Sequence, residues 1–312
     1  MKDIAYLILA HTDPKQLVRL TRALNYKSEI FIHLDAKSNL DEFRNQDYPE
    51  NVSFLEDRVP VSWAAYSQVE ATLRMMRAAL DSGHDFSHLV LLSGLDYPIK
   101  PISSLHAFLN QNTGRELIKF VDASVSPEYP VFYEHYWFLE RNTWLRPASL
   151  DRSIRHGFGR VLRQFIRKPQ PTGMTCCWGS AYWALTPACA QYILDFVDSN
   201  PIFVRWARSS FAVDEHFFHT IVAHSRFMEL SGGFQPYVGT GPQTWRLGCL
   251  HINRRKIHTE ADFEELSNSD KYFVRKVMSE PSRELLNRLD HEVLSVDGKF
   301  FKSNATIESD HR

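Results

Sequence analysis

Several features that mark whole classes of protein are missing from this sequence. No stretch reaches 18 uninterrupted apolar residues, so no segment is a candidate to cross a bilayer as a helix. The run Ile4 to Ala10 is too short for the apolar core of a secretion signal and reads as a first strand. There is no charge excess either: 36 Lys and Arg against 37 Asp and Glu leave a formal net charge of -1, which removes any global reason to expect nucleic acid as a partner. Cysteine is scarce. Cys176, Cys177, Cys189 and Cys249 include an adjacent pair that cannot easily bridge to each other, and no Cys/His run has zinc spacing, so a reducing, cytoplasmic setting is expected. No Gly-x-Gly-x-x-Gly follows the first strand, which argues against a dinucleotide-dependent dehydrogenase, and no Gly-x-Ser-x-Gly elbow occurs, Gly179-Ser180 lacking that context. Internal repeats and low-complexity segments are absent, which disfavours solenoids and linker-joined modules.

What is present is an alternation of short apolar runs with helix-period segments, the pattern of an α/β domain with a mostly parallel sheet. Strands are expected at 4–10, 29–34, 52–55 and 88–93. Helices are expected at Pro14 to Leu24, with Asp13-Pro14 as cap and first position, and at Tyr66 to Leu80. A helix near 101–110 and a strand near 116–121 follow. Residues 129–168 break the texture: 129–147 are rich in Tyr, Phe and Trp, and 141–168 hold eight basic residues against one acid, Asp151. This segment reads as an insertion. A strand pair or hairpin over 174–185, a helix from Pro187 to Asp198, a short helix capped by Asp214 and a mainly helical stretch at 261–290 complete a single domain, 1–295, before a polar tail, 296–312.

Candidate chemistry gathers at a few positions. If Asp214 caps a helix whose apolar face is Phe217, Phe218 and Ile221, then Glu215 lies at the positive dipole end, where a carboxylate stays ionised and can accept a proton. Two acids that merely complement a helix dipole are the plainer alternative. Ser93-Gly94-Leu95-Asp96-Tyr97-Pro98 is a turn at the carboxyl end of a strand, where open α/β sheets bind ligands. His11 and Asp35 end two other strands and face the same crevice. No Asp-x-Asp triplet exists anywhere in the chain, so a sugar-nucleotide transferase built on this sequence would need fixed cations to neutralise a leaving diphosphate in place of a divalent ion. Arg254-Arg255-Lys256 and Arg275-Lys276 are the available clusters, and a solvated charge run is the plainer reading of each taken alone.

In order along the chain, the runs Ala5 to His11, Phe31 to Lys37, Val61 to Ser67, Leu92 to Ile99, Gly179 to Leu185, Asp214 to Thr220 and Tyr272 to Lys276 resemble the core-2/I-branching β-1,6-N-acetylglucosaminyltransferases and peptide O-xylosyltransferases. The similarity extends from Ala5 to about Asp290. It implies a GT-A (Rossmann-like) fold, a UDP-sugar donor, inversion at the anomeric carbon and no metal requirement, hence no cofactor. Position by position, it implies Glu215 as catalytic base, Asp35 and Trp63 at the uracil, and Lys276 with Arg254, or Arg255 next to it, at the diphosphate. Asp96, Tyr97, Gly179, Ser180 and Asp214 would line the cleft. Two departures stand out: Ala181-Tyr182 follow Gly179-Ser180 where many relatives have Asp-Trp, and Val277-Met278 follow Lys276 where Phe-Asp is usual.

The acceptor is expected to be a carbohydrate, glycolipid or glycoconjugate. Tyr133, Tyr136, Trp137 and Trp144 offer rings on which sugars could stack, and the basic part, 141–168, could meet an anionic acceptor or the cytoplasmic membrane surface. The rival class is a carbohydrate-binding or assembly protein that kept the fold without the reaction. A two-carboxylate hydrolase lacks a clear second acid.

Overall fold

The computed structural model describes residues 3–139, 166–171, 173–237 and 246–295. Its frame is a sheet of order β3-β2-β1-β4-β8, formed by β1 (Asp3–Ala10), β2 (Ser28–Leu34), β3 (Val52–Phe54), β4 (Phe86–Ser93) and β8 (Ala184–Leu185). The first four are mutually parallel and β8 runs antiparallel to β4. The expected mixed α/β class with a mostly parallel sheet is therefore observed.

β1 is buried on both faces, which is why it reads as a continuous apolar run. Its side chains divide by the two-residue period of a strand: Ala5 and Leu7 enter one core, while Ile4, Tyr6, Ile8 and Ala10 enter the other. Helix α1 (Pro14–Ala23) closes the second core, and α2 (Tyr66–Asp81) the first. Asp13 accepts from the backbone N–H of Gln16 at 3.1 Å, the cap expected from the Asp-Pro pair.

The chain order reverses between β1 and β4, which opens a crevice beyond their carboxyl ends. Gly94 eases the close approach there: a Cβ on it would stand 3.3 Å from that of Ala10, a tight contact, where the end of β4 meets β1 and the Gly94 N–H donates to the carbonyl of Leu9 at 2.9 Å.

A second sheet, β5-β10-β9, is made from β5 (Asp96–Pro98), β10 (Phe273–Arg275) and β9 (His251–Asn253). It carries the carboxyl-terminal segment back to the crevice, pairing Arg275 with Asp96. β6 (Phe120–Asp122) and β7 (Cys177–Gly179) form a separate antiparallel pair.

Three expectations need correction. The segment 174–185 is no hairpin, because β7 pairs with β6 and β8 with β4. The stretch 261–290 is interrupted by β10, whose apolar Phe273 and Val274 are fully buried in a sheet. Asp214 caps no helix: Val213–Glu215 is a single 3-10 turn, and His216 precedes the helix Phe217–Ala223. The helix from Pro187, by contrast, forms as expected over Pro187–Ser199, with Thr186 as its cap. Most of the basic insertion, including Trp144, and the tail 296–312 lie outside the described residues.

Candidate active site

Glu215 is held in a turn that packing imposes. Ala212 and Ala64 both adopt left-handed backbone conformations, with φ of 49° and 62°, where an L-residue with a Cβ is strained. The two meet: the N–H of Val213 donates to the carbonyl of Ala64 at 3.4 Å. Gln68 closes the junction, accepting from the N–H of Ala64 at 2.9 Å and donating to Asp214 at 3.4 Å. The loop carrying Trp63 and the turn carrying Asp214-Glu215 are thus one assembly, although about 150 residues separate them in the chain.

Trp178 donates its indole N–H to Oε2 of Glu215 at 3.0 Å. Its ring is stacked on Tyr129 at 4.6 Å and continues through Phe132 to Phe211, which meets Trp137 at 4.7 Å and Trp63 at 5.7 Å. Burial pushes the Glu215 carboxyl well above the usual range, and the neighbouring Asp214 charge adds to the rise. The Trp178 bond and the Arg255 charge act against it. Asp214 is raised too, first by burial, with the Arg275 cation opposing.

The second half of the site is cationic. Arg275 reaches from β10 to the end of β4, donating to Oγ of Ser93 and to Oδ1 of Asp96 at 3.2 Å, with its guanidinium 5.3 Å from the Tyr182 ring. Asp96 is fully buried, accepts from the N–H of Ser93 at 2.9 Å, and has the His251 ring 3.3 Å away. Lys276 is exposed beside it, its ammonium made less basic by partial burial and by Arg275. His11 faces the same cations: burial lowers its pKa first, and Arg275, then Lys276, lower it further. Asp35 accepts from the N–H groups of Lys37 and Val61 at 2.9 and 3.2 Å, fixing the loop that leads to Trp63. Trp63 itself is 78% exposed, a flat ring offered to solvent beside this crevice.

The structure brings together Glu215, Asp214, Arg255 and Arg275, and, at the sheet edge, His11, Asp35, Asp96 and Lys276. It parts from expectation elsewhere. Arg254 is engaged by Glu265, with Nη1 to Oε2 at 2.9 Å, so its fork is occupied on the outer surface while Arg275 faces the crevice. Tyr97 does not line the cleft: its ring is 1% exposed and its hydroxyl bonds Asp290. Tyr133 is buried in the first core and offers no stacking face. Gly179 contributes through packing, since a Cβ there would collide with the His219 ring and the carbonyl of Lys119. Ser180 is 2% exposed and accepts from the N–H of Tyr182 at 3.3 Å. Tyr136 is half-buried, parallel to Phe138 at 6.4 Å, and Trp137 donates to the carbonyl of Val131 at 2.9 Å.

Sequence reasoning missed Trp178 and Gln68 altogether and saw Arg275 only as half of a basic pair. A lone Trp before Gly-Ser carries no local signal. Among the described residues no group of three His, Cys, Asp or Glu side chains could hold a metal ion, and no helix is long and apolar enough to cross a membrane.

Cations and a carboxylate of raised pKa near the reversal point of a parallel sheet make this a candidate active site of an α/β-class protein. The Core-2/I-Branching enzyme model matches residues 4–234, and the chain belongs to that family. It is 26% identical over 226 residues to the Bos taurus beta-1,3-galactosyl-O-glycosyl-glycoprotein beta-1,6-N-acetylglucosaminyltransferase 3, covering 70% of this chain and 46% of that protein. To the corresponding enzyme of Bovine herpesvirus 4 (strain V. test) it is 27% identical over 225 residues, with the same coverage. The chain therefore spans about half the length of these relatives, 46% in each case. Among solved structures, mouse xyloside xylosyltransferase 1 aligns over 87% of this chain and 97% of its own at 11% identity, with a TM-score of 0.37, a likeness too shallow to bear on activity.

Proposed function

We propose that the chain is an inverting, metal-independent glycosyltransferase of GT-A type that moves a sugar, GlcNAc or xylose, from a UDP-sugar to an acceptor hydroxyl on a carbohydrate or glycoconjugate. The observation that carries this reading is Glu215: a carboxylate recessed among aromatic rings, beside a second acid, with its pKa raised toward the range where a base works at neutral pH. Family membership supports the reaction class.

In the proposed step, the acceptor oxygen bonds to the anomeric carbon as the bond from that carbon to the UDP oxygen breaks. The acceptor proton passes to Glu215. The electron pair of the broken bond leaves on the diphosphate, where Lys276 and Arg255 supply fixed positive charge, with Arg275 behind them. Asp35 and Trp63 take the uracil. These charges stand in for the divalent ion that an Asp-x-Asp pair would hold.

Glu215→Gln keeps the shape and removes the base. Turnover should fall by roughly 10²–10⁴ while UDP still raises the melting temperature. Near-normal turnover in that variant would refute the assignment. Hydrolysis of UDP-GlcNAc, UDP-Xyl, UDP-Glc and UDP-Gal, each with and without EDTA, identifies the donor, and activity lost on chelation and restored by Mn²⁺ would contradict the fixed-cation account. Absence of any stabilisation by millimolar UDP would favour the non-catalytic binding protein.

A further inference from the structure

A glutamate side chain has three free torsions, and the 3-10 turn under Glu215 restrains none of the outer ones. Something else must hold the carboxylate. The indole N–H of Trp178 is the group that meets it, at 3.0 Å on Oε2. Indole nitrogen is a donor only, so this bond requires an accepting oxygen and favours the ionised form.

The indole is itself immobilised. Trp178 is 2% exposed, with Tyr129 stacked 7° from parallel, Phe132 at 5.6 Å and His216 at 5.3 Å. Its neighbour Gly179 lets β7 press directly on the helix that follows Glu215, so strand and turn keep one spacing. The hydrogen bond therefore joins two elements that are each fixed independently.

We propose that Trp178 is a positioning residue for the base, pinning Oε2 of Glu215 so that Oε1 is the oxygen presented to the acceptor hydroxyl. This rests on the reading of Glu215 given above. The charged or titratable groups acting on Glu215 from the surrounding elements are Asp214 on its own turn, Arg255 after β9, and Tyr129 beneath the indole, with Arg275 acting through Asp214. None of these is altered by removing the indole N–H, so its contribution can be isolated.

Trp178→Phe retains a ring for Tyr129 to stack on and deletes the donor. The expected result is a fall in kcat of about tenfold at neutral pH, an unchanged KM for the donor, and an acid limb of the pH profile displaced upward by about half a unit or more. A fall in kcat with an unmoved acid limb would mean a merely structural role and overturn the proposal, as would no change in either. Should Trp178→Phe fail to fold, the native protein still decides. One indole N–H resonance among the seven tryptophans should titrate with the acid limb and cease to do so in Glu215→Gln. If none titrates, Trp178 does not hold the base. Activity surviving in Glu215→Gln would sink the assignment of the base itself, a result distinct from failure of the positioning role.

Discussion

Two buried acids, Asp96 at the sheet edge and Glu215 in the aromatic recess, are treated in opposite ways. Asp96 receives a backbone N–H at 2.9 Å and a guanidinium at 3.2 Å, with the His251 ring 3.3 Å away. Glu215 receives one indole N–H and has a second carboxylate beside it. The first arrangement stores a compensated charge that keeps Arg275 extended along the end of β4. The second leaves a carboxylate undercompensated, hence basic. Under the proposed function, the first region would stay fixed on the diphosphate side and the second would exchange a proton with the acceptor alcohol.

The largest effect should come from breaking the compensated side. Asp96→Ala leaves the largely buried Arg275 guanidinium without its carboxylate partner and should cost about 3–5 kcal/mol of stability, read from urea unfolding. Stability within about 1 kcal/mol of the native protein would mean that the pair is not what holds β10 to β5. Next, Lys276→Ala removes an exposed cation whose role is assigned to the diphosphate. UDP affinity measured by calorimetry should weaken about tenfold or more, while unfolding is unaffected.

Trp63→Ala tests whether the exposed ring serves the uracil. At 78% exposure the ring contributes little to folding, yet loss of a stacking face should cost about 1–3 kcal/mol in UDP binding. The smallest change is Asp214→Asn. The Asp214 charge raises the pKa of Glu215, so removing it lowers that pKa, and the acid limb of kcat should move to lower pH. Movement in the other direction would mean that Asp214 supports the ionised base.

The frame of the fold was legible because β1, β2 and β4 are buried on nearly their whole length and so carry mostly apolar runs. The Asp13-Pro14 start of α1 was equally readable, but the second duty of Asp13, accepting from the N–H and hydroxyl of Ser279 at 2.7 Å, was not, since it spans 266 residues. β10 was misread as helix. Three residues of strand carry too little period to announce themselves, and the sheet that stabilises them draws on β9 and on β5, the latter far away in sequence.

The local reason for singling out Glu215 does not hold in the structure. A helix cap was expected to keep it ionised; burial and Asp214 instead make it more basic, and the helix begins two residues later. Arg254 illustrates the converse. As a letter in a basic run it matched a phosphate clamp as well as Arg255 did, and only the position of Glu265 shows its fork to be occupied.

What the sequence determined by itself was the α/β class and the mostly parallel frame, because periodicity, turn chemistry and local order survive in one dimension; the acid at 215 and the lysine at 276 it offered as candidates. What tertiary structure alone decided was which cation faces inward, which indole grips the acid, and that two left-handed alanines lock the Trp63 loop to the turn bearing Glu215. Those outcomes depend on distances between segments far apart in the chain, and no local pattern of residues encodes such a distance.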